Sequence, residues 1–105
     1  MRGDVVPVPA ARNARGHEQQ GRRYGVVVQS DHLMLGTVLV TPTSTSSLPA
    51  PHRPEIDLLG QRTVLLVEQT RAVTREALKP AVARLSYADL QLLDEALALV
   101  LGLDG

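Results

Sequence analysis

The sequence predicts a mostly β fold closed by a C-terminal helix, a small α+β or barrel-like domain. Three observations point to it. Short β-branched runs recur between Asp4 and Val73, each stopped by Gly, Pro or a polar turn. The clearest stretch of helical period, Tyr87 to Leu101, comes last. The chain has 105 residues, 44% of them hydrophobic, which gives one domain over 1–105 and enough apolar side chain for one core.

Asp4–Val8 is a short apolar run in which Pro7, like Pro9 just after it, removes a ladder donor, so it reads as an edge strand or one that ends early. Ala10–Arg22 lacks period and holds Gly16 and Gly21, the mark of a long loop. Tyr24–Gln29 is a continuous β-branched run and reads as a buried strand. After a turn over Ser30–Gly36, Thr37–Thr41 reads as a second buried strand stopped by Pro42. Thr43–Pro54 is rich in Ser, Thr and Pro, suited to local turns. Glu55–Leu58 alternates as a half-exposed strand, and a tight turn at Gly60-Gln61 returns the chain as Thr63–Val67, a hairpin. Arg71–Val73 is a further short strand, and Thr74–Leu78 a single capped turn ended by Pro80. In the helix, Ser86 is the N-cap, with Asp89 three residues on, and Gly102 is placed as the C′ residue. Leu90, Leu93, Leu97 and Val100 form one apolar stripe; Leu92, Ala96 and Leu99 form a second. One face is expected on the sheet and the other on a second subunit.

Composition excludes several function classes. Without Cys there is no disulfide, thiolate nucleophile, Fe–S cluster or Cys-type zinc site. His17, His32 and His52 fall in separate segments, with no metal-ligand spacing among them. The absence of Phe and Trp, with only Tyr24 and Tyr87, argues against a nucleic-acid face of stacked aromatics. Arg2 and Asp4 precede any apolar run, and no stretch approaches the ~18 apolar residues of a membrane span. A cytoplasmic protein with no membrane segment, no metal and no cofactor is expected.

The net charge is zero, but its distribution is uneven. Arg12, Arg15, Arg22 and Arg23 crowd one Gly-containing segment, whereas Asp89, Asp94, Glu95 and Asp104 crowd the C-terminal end. Arginine presents a planar fork of donors that matches phosphate, so the loop points to an anionic ligand. Arginine richness from genome composition is the plainer reading of the same residues.

Three segments taken in order resemble the MazF/PemK family of toxin endoribonucleases. Arg2-Gly3-Asp4-Val5-Val6 is similar to the family's opening R-G-D-hydrophobic strand. Gly16-His17-Glu18-Gln19-Gln20-Gly21-Arg22-Arg23 resembles its G-S-E-Q-x-G-x-R-P loop. The run Val64 to Val73, containing Glu68-Gln69-Thr70-Arg71, resembles its V-x-L-E-Q-I-R-T-I segment. The resemblance implies an SH3-like small barrel of the MazF/CcdB type, and a homodimer. It implies metal-independent cleavage of single-stranded RNA at short sequences, restrained by a cognate MazE-like antitoxin. The family's essential Arg falls on Arg23, its catalytic hydroxyl on Ser44 and its loop carboxylate on Glu18. Tyr24 stands where the family has Pro, and Ser44 where it has Thr.

In such a reaction the 2′-OH attacks phosphorus and expels the 5′-oxygen. A fixed guanidinium at Arg23 supplies charge stabilisation, and Ser44 bonds the phosphate or the 2′-OH. Glu18 or His17 takes the proton. His17, Gln19, Arg22, Thr43, Thr45, Glu68 and Gln69 are the expected substrate contacts. A one-residue slip would move the hydroxyl role to Thr43 or Thr45, and Glu68 fits equally as the partner of an arginine. Arg53 and Arg62 read as solvated charges, His32 and His52 as plain loop residues. A CcdB-type gyrase poison is the poorer reading, because the chain ends Leu101-Gly102-Leu103-Asp104-Gly105 without an aromatic. A family member that binds RNA or antitoxin without cutting is the non-enzyme alternative.

Overall fold

The computed structural model describes residues 1–8 and 23–103. Among these, seven strands form one sheet: β1 (Asp4–Val8), β2 (Arg23–Val27), β3 (Thr37–Ser44), β4 (Glu55–Leu58), β5 (Gln61–Leu65), β6 (Arg71–Thr74) and β7 (Ala83–Arg84). The order is β4-β5-β3-β2-β1-β7, with β6 also on β3, and every pairing is antiparallel. The helix α1 runs from Tyr87 to Leu101, as its period predicts. Ser86 Oγ accepts from the Asp89 amide at 3.1 Å. Gly102 takes φ +72°, donating to Leu99 O while Leu103 donates to Ala98 O, a left-handed stop. None of the described helices is long and apolar enough to cross a membrane.

The strand β3 makes the sheet curl into a half-barrel. One edge pairs with β2; along the other, Thr37–Val40 pair with β6 and Thr43–Ser44 with β5. Pro42 therefore does not stop the strand as the sequence suggests. It falls at the change of partner, where no donor is required of it, and its carbonyl accepts from Leu66 N at 2.9 Å. Pro7 is tolerated for a related reason: β7 covers only Asp4 and Val5, so among the described residues β1 is an edge beyond them. β7 itself, two residues long, carries no readable alternation.

The β4–β5 turn is Leu59-Gly60, one residue earlier than the sequence indicates. Leu59 has φ +54° and Gly60 +80°, the paired positive values that a two-residue hairpin turn requires. Leu59 is 57% exposed, so its side chain gains little there. Leu59→Asn is expected to raise stability by about 1 kcal/mol, because Asn tolerates the left-handed region that Leu resists. Urea midpoints of the two proteins check this.

Side chains alternate between two cores. On one face Val5, Val26, Ile56, Leu65 and Val67 pack under Leu93 and Ala96 of α1. On the other, Val6, Val27, Val38 and Val40 form a valine cluster edged by Val8, Val73 and Leu78. The two helical stripes are only half confirmed: Leu93 and Ala96 are buried, whereas Leu92 and Leu99 remain 41% and 45% exposed. The opening Arg2-Gly3-Asp4 is a structural clasp. Arg2 donates from Nε to Val28 O at 3.3 Å and pairs through Nη2 with Asp94 of α1. Gly3, at φ +92°, takes a conformation that residues with a Cβ rarely adopt.

Candidate functional site

Arg23 opens β2 and Ser44 closes β3. The register runs Val27↔Val40, Val26↔Thr41, Gly25↔Pro42; carried two residues further, it sets Arg23 across from Ser44. Residues of one parity share a face, so Arg23, Gly25 and Val27 lie with Val40, Pro42 and Ser44 on the valine-cluster side. On its other flank Arg23 pairs with Val8 of β1. The approach of the strands here depends on Gly25. A Cβ at that position would lie 2.4 Å from Val40 Cγ1 and 3.1 Å from Val8 Cγ1.

The three neighbouring hydroxyls differ in what they can do. Thr43 is buried on the helix side, and its Oγ1 donates to Tyr24 O at 2.9 Å, across the same register. Ser44 Oγ accepts from Ser46 N (3.2 Å), Ser47 N (3.0 Å) and Ser47 Oγ (2.9 Å), capping the turn that follows. Its lone pairs are engaged in the turn, and its proton faces at most the long 3.4 Å contact to Ser46 Oγ, so what it offers a ligand is that proton. Thr45 is exposed in the turn itself.

A second group forms where the β3–β4 loop meets the 3-10 turn Val67–Gln69. Arg53 Nε donates to Glu68 Oε1 (3.1 Å) and Oε2 (3.0 Å), and Nη2 donates to Oε2. Gln69 Nε2 adds a bond to Oε2 at 3.3 Å, and His52 Nε2 stands 3.9 Å from Oε1. The Arg53 guanidinium holds the Glu68 carboxyl down to about 2, well below the ordinary carboxylate range. The turn is anchored to the sheet: Thr70 Oγ1 donates to Val67 O (2.7 Å) and so accepts from Thr41 Oγ1 (2.6 Å), which is fully buried. Of the two readings open for Glu68, partnership with an arginine is thus present. The partner is Arg53, which the sequence leaves as a solvated charge; His52 is a loop residue, as read, 3.9 Å from the carboxylate. The signal was available: a hairpin turning at Leu59-Gly60 with Glu55 opposite Val64 brings Arg53 beside Leu66.

Glu68 carries a pH prediction. Its folded pKa lies below the unfolded value of about 4.3, so the stability it contributes is present above pH ~4–5 and is lost as pH falls toward 2. Glu68→Gln is expected to be less stable than the parent at pH 7, with the gap narrowing between pH 5 and pH 2 in urea midpoints.

His17, Glu18, Gln19 and Arg22 lie outside the described residues. Among the described residues no group of three or more His, Asp or Glu is arranged to hold a metal ion.

Residues 1–101 match the family model described as a PemK-like, MazF-like toxin of a type II toxin-antitoxin system. The chain belongs to this toxin family. A Mycobacterium tuberculosis (strain H37Rv) relative, named "Putative toxin Rv3098A/RVBD_3098A", is 45% identical over 73 residues, 70% of this chain and 69% of its own. An endoribonuclease from Mycobacterial species, solved in complex with its cognate antitoxin, superposes with TM-score 0.78 at 16% identity, covering 100% of this chain and 97% of that one. MazF from Deinococcus radiodurans superposes with TM-score 0.74 at 23% identity, covering 96% and 94%. At such identities the superpositions establish the fold of this family member: a half-barrel sheet with one C-terminal helix, as in the MazF toxins.

Proposed function

We propose that this family member is a toxin endoribonuclease that cleaves single-stranded RNA at short sequences. The reading is supported by the register of β2 and β3, which, carried two residues beyond Gly25↔Pro42, sets Arg23 across from Ser44 on one face. The 2′-oxygen forms a bond to phosphorus while the P–O5′ bond breaks; the 2′ proton passes to a base and the 5′-oxygen is protonated. The products are a 2′,3′-cyclic phosphate and a 5′-OH. Arg23 donates to the non-bridging oxygens as charge grows on them. Ser44 donates its proton to the same phosphate, the role its turn bonds leave to it. Glu18 or His17, in the segment between β1 and β2, accepts the 2′ proton. His17, Gln19, Arg22, Thr45, Glu68 and Gln69 contact the substrate, whereas the buried Thr43 hydroxyl, bonded to Tyr24 O, holds the strand ends together.

The chemistry as written uses no metal or cofactor. Membership in a toxin–antitoxin family and the antitoxin complex solved for a structural neighbour support restraint by a cognate MazE-like antitoxin. The exposed Leu92 and Leu99 of α1 support a homodimer. Residues 1–105 act as one domain, in the cytoplasm. The test is incubation of the purified protein in EDTA with a long single-stranded RNA and with its duplex. Defined cuts in the single strand alone are expected. Binding without cuts would replace this reading by the non-enzyme one, and disturbed supercoiling in a gyrase assay would favour the poison.

A further inference from the structure

The valine-cluster face carries a buried polar residue that the proposed reaction does not use. Val28 still donates to Leu39 O at 3.0 Å, so the alternation of β2 continues past its end. Val26 and Val28 face the helix-side core, and Gln29 follows Val27 to the other side. Gln29 is 8% exposed there, and its side-chain amide makes no hydrogen bond with a described residue. A buried amide without a partner is destabilising, and a ligand that bonds it gives the residue a reason.

Gln29 lines a cleft of about 310 Å³, at the small end of ligand-binding cavities. Buried Val27 and Val38 with half-buried Leu78 form its apolar floor, and exposed Asp31 and Arg75 stand on its rim. The rim is fixed in advance. Asp31 Oδ1 accepts from Arg2 N at 2.8 Å, and Arg75 donates from N to Gly36 O and from Nε to Leu35 O, both at 2.9 Å. Neither side chain takes part in a salt bridge, so an anion and a cation border one cleft without neutralising each other. Gln29 and Arg23 lie toward opposite ends of the β2 segment, up to about 20 Å apart along extended chain.

Opposite charges above an apolar floor complement a small zwitterion with a hydrocarbon side chain. A phosphate would be repelled by Asp31. We propose that this cleft binds a free aliphatic α-amino acid. Its carboxylate meets Arg75 and the Gln29 amide, its ammonium meets Asp31, and its side chain covers Val27, Val38 and Leu78.

An NMR titration of the labelled protein tests this, following the Gln29 side-chain NH2 and the Val27 and Val38 methyl groups. The probes are L-leucine, isocaproate, which lacks the ammonium, and isoamylamine, which lacks the carboxylate. L-Leucine is expected to shift these signals saturably, and each truncated probe to bind about tenfold or more weaker. Arg75→Gln should weaken L-leucine by about tenfold and leave isoamylamine no weaker; Asp31→Asn should do the same to L-leucine and leave isocaproate no weaker. The spectra also report that each variant is folded. Absence of saturable shifts at Gln29, or rim variants that weaken all three probes alike, would overturn the site. No RNA enters the measurement, so its outcome is separate from that of the cleavage reading.

Discussion

Arg23→Ala is expected to slow cleavage of a single-stranded RNA by about 10²–10³, the usual effect of removing one preorganised donor to a developing oxyanion. The backbone around it is set independently of its side chain. Val8 on β1 and the β2–β3 register hold the strand, and Val26 and Val27 behind it are buried. The variant should accordingly melt close to the parent while the rate falls. Arg23→Lys separates charge from shape: the cation survives, but the planar fork that reaches two phosphate oxygens does not. A partial recovery is expected from Lys. Equal rates for all three proteins would remove Arg23 from the chemistry.

The largest stability effect on the site's own strand is expected at Gly25. An added Cβ meets Val40 Cγ1 at 2.4 Å, and Val40 is 1% exposed and branched at Cβ, so it has no rotamer to retreat into. Val8 Cγ1 at 3.1 Å closes the other side. Gly25→Ala should therefore lower stability by about 1–3 kcal/mol. At this chain length each kcal/mol corresponds to roughly 4–8 °C in melting temperature. The strands must part to admit the methyl group, and Arg23 lies two residues along, so the rate should fall more than stability alone predicts. Gly36→Ala is the control, because a Cβ there meets nothing within 4 Å and its φ is not positive. It should melt within a few degrees of the parent.

Where local rules act alone, the sequence was legible. The helix from Tyr87 to Leu101 was readable in full because period, N-cap and C′ glycine all agree. The span Asp4–Val8 was equally plain. Tertiary pairing decided the rest. Pro42 reads as a stop because nothing local says that β3 changes partner there. The sequence puts the turn one residue late because Gly60 is the obvious turn residue, whereas Leu59 also adopts a positive φ. Motif order singles out Arg23 and Ser44, and their shared face follows from strand parity once the register is known. The Arg53–Glu68 grip joins residues 15 apart in sequence across a hairpin and has no periodicity of its own.

The measurement that tests the central claim most directly is the chemistry of the cut ends. RNA digested in EDTA by the parent protein is offered to polynucleotide kinase, without prior phosphatase. Attack by the 2′-oxygen predicts downstream fragments that label at once, as free 5′-OH ends, and upstream fragments closed by a cyclic phosphate. Downstream fragments that resist labelling because they carry a 5′-phosphate would contradict the account, since a water or metal-bound hydroxide would then have been the nucleophile.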